Sequence, residues 1–199
     1  MCSSDLRLID QHFEDEVNEW RGKMNPDQYE AVRAYTGSTY KEMNKYLRDG
    51  KMGTGESPYL EKLIRDCDKG VGKQQIMENM LVWRKSSAAL LNDLGLHYEG
   101  NPQAFVNEAM RRVGSVVRDK GFTSTSTKTD RWYGAVHYEI KVPKGSSAAY
   151  VNQISKNRGE MEVVINRGTM YRITGARVQT IDGSTHPVIE LEIVGRKTR

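Results

Sequence analysis

The chain has 199 residues, 37% of them apolar and 28% charged, a balance that fits one soluble domain with a real core. No run approaches the roughly 18 apolar residues of a membrane span, and two cysteines and four scattered histidines make neither a disulfide framework nor a metal-ligand cluster. The net charge of +4 suits an acidic or phosphate-bearing ligand without marking a nucleic-acid binder. Met1 to Arg7 lack a basic stretch followed by an apolar one, so no signal peptide is expected, and the chain is read as cytosolic or delivered into a target cell.

In chain order, the first half reads as helices. Leu6, Ile9, Phe13, Val17 and Trp20 recur at three- and four-residue steps, and Asn25-Pro26 ends that stripe. A second helix carries Tyr29, Val32 and Tyr35 and stops near Gly37. Thr39 and Glu42 have capping-box spacing for a third, holding Tyr40, Met43, Asn44 and Leu47. Ser57-Pro58 opens a helix with Leu60, Leu63, Ile64 and Cys67 on its buried side; Gly70 to Gly72 breaks it, and a short helix follows through Ile76, Met77 and Met80. Leu81 to Arg84 reads as a short strand delivering a cation at its end. Asn101-Pro102 starts another helix, with Phe105, Ala109 and Val113 on one stripe.

After Gly121 the pattern turns to β. Val136, Tyr138, Ile140 and Val142 alternate with polar residues up to Pro143-Lys144-Gly145. Tyr150-Val151, Glu162 to Ile165, Met170 to Val178, and the alternation at Ile189, Leu191 and Ile193 supply further strands. Helices and strands are segregated, so the fold class is α+β and one domain spans 1–199: a helical lobe and lid over about 1–80, then a β core over about 81–199.

Three stretches could carry chemistry. Arg84 offers forked donors suited to phosphate oxygens, although a lone arginine is more often a surface ion pair. Ser124 and Ser126 share one face of Gly121 to Thr127, with Thr125 on the other, and such hydroxyls can hold a sugar or orient a carboxylate. In Arg158 to Val164, an extended backbone would put Glu160 and Glu162 on one face, about 6–7 Å apart. One carboxylate could then stabilise a developing cation while the other handles a proton. Any one of these alone would be an ordinary polar strand face; their company decides.

Taken in order, Val82-Trp83-Arg84, Phe122-Thr123-Ser124-Thr125-Ser126 and Glu160-Met161-Glu162 resemble the Arg, Ser-Thr-Ser and Glu-x-Glu signature of bacterial toxin-type mono-ADP-ribosyltransferases. Ala34 to Arg48 is similar to the helical lid segment of the actin-modifying binary toxins and Rho-modifying exoenzymes. Val142 to Tyr150 resembles their strand–turn–strand ahead of the catalytic loop. The likeness covers roughly residues 28 to 175.

The resemblance implies an ADP-ribosyltransferase fold, with two roughly perpendicular β-sheets forming an NAD cleft beside an N-terminal helical lobe. It implies NAD as co-substrate, no metal, and transfer of ADP-ribose to a protein arginine with release of nicotinamide through an oxocarbenium-like transition state. Slow NAD hydrolysis without acceptor and a toxin or effector role accompany it. Arg84, with Lys85 beside it, would bind the phosphates; Ser124 would orient Glu162, which stabilises the sugar cation; Thr125 and Ser126 would brace the strand and count with Ser124 among the NAD-binding residues. Glu160 would engage the acceptor, because Glu-x-Glu members mostly modify arginine whereas Gln-x-Glu members favour asparagine or cysteine. Tyr35, Tyr40 and Asn44 would face NAD from the lid, with Arg131, Trp132 or Tyr133 in the loop after the Ser-Thr-Ser strand. Family members often place an aromatic residue three positions before the first Glu; Asn157 stands there, between Lys156 and Arg158, which suits an acidic partner surface. The expected state is a monomer. The alternatives are the same fold modifying a nucleic acid, or a non-catalytic NAD-binding or phage structural module.

Overall fold

The computed structural model describes residues 16–130, 134–181 and 183–198. Helix α1, described over 16–23, buries Val17 and Trp20 as their spacing requires; Leu6, Ile9 and Phe13 lie outside the described residues. Asn25 ends that helix and also caps the next, α2 (Pro26–Ala34): its side chain accepts from Gln28 N (2.9 Å) while the Gln28 side chain accepts from Asn25 N (3.2 Å). The capping box expected at Thr39 is not formed. The chain stays helical through a wide turn (Tyr35–Thr39) kinked at Gly37, so Thr39 is already in helical conformation when α3 (Tyr40–Arg48) begins, and its side chain caps nothing.

Helix α4 (Pro58–Gly72) starts where Ser57 accepts from Leu60 N, and it buries Ile64, Cys67 and Val71. It runs through Gly70 instead of breaking there. A Cβ at that position would lie 2.7 Å from Val32 Cγ2, so the glycine lets α2 and α4 approach closely, and Trp20 Nε1 donates to its carbonyl (2.7 Å). The short helix expected through Ile76 to Met80 is absent. The backbone of Ile76 bonds instead to Ser146 O and Gly145 N across the turn at 143–146, and Met80 opens the first strand. Helix α5 (Pro102–Met110) buries Phe105 and Ala109 but ends before Val113, which is exposed. A 3₁₀ helix (Ala88–Leu94) and the edge strand β2 (Val116–Arg118) were not foreseen.

The strands β1 (Met80–Ser86), β3 (Thr123–Ser126), β4 (Val136–Val142), β5 (Ala148–Tyr150), β6 (Glu162–Ile165), β7 (Thr169–Ile181) and β8 (Ser184–Arg196) join β2 in one eight-stranded sheet ordered β2-β7-β8-β4-β1-β3-β6-β5. The pairs are antiparallel except β4–β8. The hydrogen-bonded order has a thin seam: β1 and β3 are joined through Trp83↔Ser126 alone, whereas β1 pairs with β4 along its whole length. That seam positions the site. Arg84 follows Trp83, the β1 residue that pairs with β3, Ser124 lies two residues before its counterpart Ser126 on β3, and Glu162 pairs with Ser126 from the far side. Opposite, an ionic cluster in which Asp68 accepts from Arg167 Nε (3.0 Å) and also pairs with Arg196 ties α4 to the end of β8. No helix among the described residues is long and apolar enough to cross a membrane.

Candidate active site

At the seam a cleft of about 960 Å³ opens between α3, β1, β3 and the turn before β6. It brings together Tyr35, Tyr40, Asn44, Arg84, Lys85, Ser124, Glu160 and Glu162. Helix α3 and β1 supply its cations. Lys41, Lys45 and Arg48 come from successive turns of α3, and Arg84 and Lys85 from the end of β1. Arg84 Nη1 donates to the Ser124 carbonyl (2.6 Å), bridging the gap where β1 and β3 stop pairing, and makes no ion pair among the described residues. A half-buried guanidinium with donors to spare is suited to an anion.

The carboxylates come from the other side. Glu162, the first residue of β6, is only 3% exposed, and its Oε2 has no hydrogen-bond partner among the described residues. Burial pushes its carboxyl up to about 7; the Ser124 hydroxyl beside it pulls the other way, the neighbouring Glu160 charge adds to the rise, and Arg84 opposes it. The Ser124 and Tyr35 hydroxyls are 3.2 Å apart, and Asn44 Nδ2 donates to Tyr35 (3.3 Å), so a chain of polar groups runs from α3 to the carboxylate. Asn44 also holds both backbone groups of Phe122, accepting from its N (2.8 Å) and donating to its O (3.2 Å). Its carboxamide fastens α3 to the start of β3, and Gly121 leaves the room: a Cβ there would meet Asn44 Oδ1 at 2.7 Å. Tyr40 is exposed at the rim, edge-on to Tyr35.

Two expectations change. Thr125 and Ser126 do not line the cleft. Both are buried and donate to backbone carbonyls, Thr125 to Val163 (2.7 Å) and Ser126 to Glu160 (2.6 Å), so they brace the strands. Nor is Glu160-Met161-Glu162 one extended segment. Met161 has φ of 52°, in the left-handed region where a residue with a Cβ is strained, and β6 begins only at Glu162. A turn, not strand alternation, brings the two carboxylates into one cleft. Arg131, Trp132 and Tyr133 lie outside the described residues.

Asn152 holds that turn, and no motif or spacing in the chain singles it out. Its Oδ1 accepts from Gly159 N (3.0 Å) and Met161 N (3.2 Å), while the Met161 side chain is buried against the Tyr150 hydroxyl (3.4 Å to Sδ). Removing the acceptor leaves two amides to be satisfied, at about 1–3 kcal/mol for each one that stays buried and unpaired. Asn152→Ala is expected to lower the melting temperature by several degrees. Transfer to an acceptor should fall about 10- to 100-fold, more than NAD hydrolysis, because Glu160 loses its placement relative to Glu162. Asn152→Asp, which keeps the acceptor oxygen, should restore most of both activities; calorimetry together with the transfer-to-hydrolysis ratio checks this. Lys41, Lys45 and Arg48 were also missed, although their i, i+4, i+7 spacing puts them on one helix face beside Tyr40 and Asn44. Among the described residues no group of His, Cys, Asp and Glu could hold a metal ion.

The comparisons with known proteins agree with this geometry. The sequence matches the family described as ADP-ribosyltransferase exoenzyme over residues 10–195. The NAD(+)--arginine ADP-ribosyltransferase EFV of Enterococcus faecalis is 27% identical over 183 residues, covering 92% of this chain and 34% of that protein, so the chain spans about a third of that relative. Mono-ADP-ribosyltransferase C3 of Clostridium botulinum D phage is 28% identical over 167 residues, 79% of this chain and 66% of that protein. Plx2a, an ADP-ribosyltransferase toxin from Paenibacillus larvae, shares the fold with a TM-score of 0.85 at 23% identity, covering 96% of this chain and 97% of its own. With the matched region running almost from end to end and the seam cleft at its centre, the chain belongs to the ADP-ribosyltransferase exoenzyme family.

Proposed function

We propose that this chain transfers ADP-ribose from NAD to an arginine of a protein acceptor, releases nicotinamide, and hydrolyses NAD slowly when no acceptor is present. The observation that carries the reading is Glu162: a buried carboxylate with an unpartnered oxygen, beside Ser124 and Arg84, in a cleft shared with a second carboxylate. The residues fit a dinucleotide. Arg84, Lys85 and Lys41 line the cleft with positive charge for a diphosphate, Lys45 and Arg48 add cations already paired with Asp49 and Asp119, and Tyr40 offers aromatic surface.

Bound NAD would supply the ADP-ribosyl group and a nicotinamide leaving group. Glu162 then places a fixed anion where positive charge develops at the ribose. Because that charge exists mainly in the transition state, the anion raises the rate and not merely the affinity. Ser124 keeps the carboxylate oriented and favours its ionised form. Glu160, half-buried at the cleft, faces the acceptor. A guanidinium has a pKa above about 12 and is a poor nucleophile, so a carboxylate aligned with it is needed to remove a proton as the new bond forms. The enterococcal relative, an NAD(+)--arginine ADP-ribosyltransferase, supports the same acceptor. A toxin or effector role is part of the same proposal, supported by membership of the ADP-ribosyltransferase exoenzyme family.

The test is incubation with adenosine-labelled NAD and a mixed protein extract, followed by mapping of the modified atom. Label on a guanidino nitrogen with equimolar nicotinamide is the expected result. Label on an asparagine amide, or on a nucleobase, would overturn the arginine assignment.

A further inference from the structure

One buried carboxylate stands where the negative charge of a dinucleotide makes it unwelcome. Asp119, between β2 and β3, is 7% exposed, and its ion-pair partner Arg48 lines the cleft. Each oxygen of Asp119 takes two hydrogen bonds. Oδ1 accepts from Arg48 Nε (3.2 Å) and Gly121 N (2.9 Å), and Oδ2 from Arg48 Nη2 (3.0 Å) and Thr123 Oγ1 (3.1 Å). The Asp119 backbone is pinned to the start of β7: its N donates to Thr169 O (3.0 Å) and its O accepts from Gly168 N (2.8 Å). Arg48 is thus held along one edge by a group that belongs to the sheet, and its Nη1 donates to nothing among the described residues. One turn earlier on α3, Asn44 grips both backbone groups of Phe122. Two successive turns of α3 are therefore fastened to 119–123, the segment that leads into Ser124. Arg48 and Arg84 line both the cleft and an adjoining recess of about 280 Å³, so the two cavities share these guanidinium groups.

We propose that Asp119 is a positioning residue for the dinucleotide: by holding Arg48 along one edge it keeps the remaining donors of that guanidinium fixed for the ADP-ribose portion of NAD. The proposal rests on the reading of the cleft as an NAD site given above. Charge alone argues the other way. A fixed anion beside the site of a diphosphate repels it, so removing Asp119 should tighten binding if only the field mattered. Geometry acts in the opposite sense. A long side chain immobilised by its ligand loses rotamer freedom on binding, and Asp119 has already imposed that loss through a fork that matches the guanidinium plane. The same carboxylate closes α3 onto β3 through Gly121 and Thr123, so Tyr40 and Asn44 are presented from a helix already docked. The two accounts differ in the sign of the effect on affinity, not merely in its size.

The experiment titrates ADP-ribose calorimetrically into the full chain and its Asp119→Asn, Arg48→Ala, Arg48→Lys and Asp119→Asn/Arg48→Ala variants, and measures kcat and KM for NAD hydrolysis in each. Asp119→Asn should weaken ADP-ribose binding and raise the KM for NAD by about tenfold, with kcat within about threefold of the parent. Arg48→Lys, which keeps the charge without the fork, should weaken binding as well. Because Asp119 acts through Arg48, the double variant should bind no worse than Arg48→Ala alone. Equal or tighter ADP-ribose binding by Asp119→Asn, or losses in the double variant that simply multiply, would overturn the proposal. A fall in kcat with KM unmoved would do the same and leave Asp119 as a structural residue only. If Asp119→Asn does not fold, Arg48→Lys decides, and ADP-ribose binding equal to the parent's would overturn the positioning role. A parent chain that binds ADP-ribose but turns over no NAD would sink the transfer reading while the titrations still decide Asp119; a parent that does not bind ADP-ribose would sink this proposal.

Discussion

Glu162→Gln is expected to lower both ADP-ribosyl transfer and NAD hydrolysis by about 10³-fold while leaving NAD affinity within a few-fold. The substitution keeps the shape and the Ser124 neighbour but removes the anion that meets the developing positive charge, so the loss should appear in kcat and not in KM. Stability should move the opposite way. Burial holds the Glu162 carboxyl at about 7, above the ordinary 4.5, so the folded protein favours the protonated form. That contribution is present in full below about pH 4.5 and is lost as pH rises through about 7. A neutral glutamine suffers no such loss. The variant should therefore be more stable than the parent by about 2–3 kcal/mol at pH 8 and by much less at pH 5. In the parent, kcat/KM should climb with an acid limb near pH 7, since only the ionised carboxylate serves. Thermal melts at the two pH values and steady-state rates across the range check all three. Unchanged turnover in Glu162→Gln would remove the catalytic assignment; equal stabilisation at both pH values would remove the buried-charge account.

The same residue shows how unevenly the site could be read from the chain. Strand β6 was legible to the residue, Glu162 to Ile165, because three consecutive β-branched residues, Val163 to Ile165, follow a turn signal and precede another; β4 was legible because its alternation is strict. The turn in front of β6 was not. Methionine carries no signal for a positive φ, and the group that holds it there, Asn152, lies nine residues upstream in a loop. The two carboxylates were thus expected together for the wrong geometric reason, and only the folded chain supplies the right one. Glycine misled in a similar way. Gly70 looked like a helix stop, but its role is to admit Val32, a contact fixed by the packing of α2 on α4 and invisible to local propensity. Ile76, Met77 and Met80 have helical spacing by coincidence, and the turn at 143–147, far along the chain, captured their backbone first. The lid residues fall between these cases. Tyr35, Tyr40 and Asn44 were expected at the cleft and line it, yet the fixed polar chain that runs through Asn44 and Tyr35 to Ser124 needed coordinates.

Glu160→Gln is expected to separate the two reactions that Glu162→Gln abolishes together. Glu160 lines the same cleft as the buried carboxylate but is itself half-buried and precedes β6, so it is the carboxylate of the pair more open to an incoming group. If its task is to take a proton from an incoming guanidinium, a neutral amide cannot do it, and transfer to arginine should fall by about 10²–10⁴-fold. Water needs no such alignment, so NAD hydrolysis should remain within about tenfold of the parent. It should also shift in pH: removing the Glu160 charge takes away one of the causes that raise the Glu162 carboxyl, so the acid limb of hydrolysis should move below about 7. That shift makes the test specific, because a variant that merely loosened the turn would lower both rates without moving the limb in that direction. Equal loss of transfer and hydrolysis, with the limb unmoved, would place Glu160 in the structure of the turn and leave the acceptor without its base.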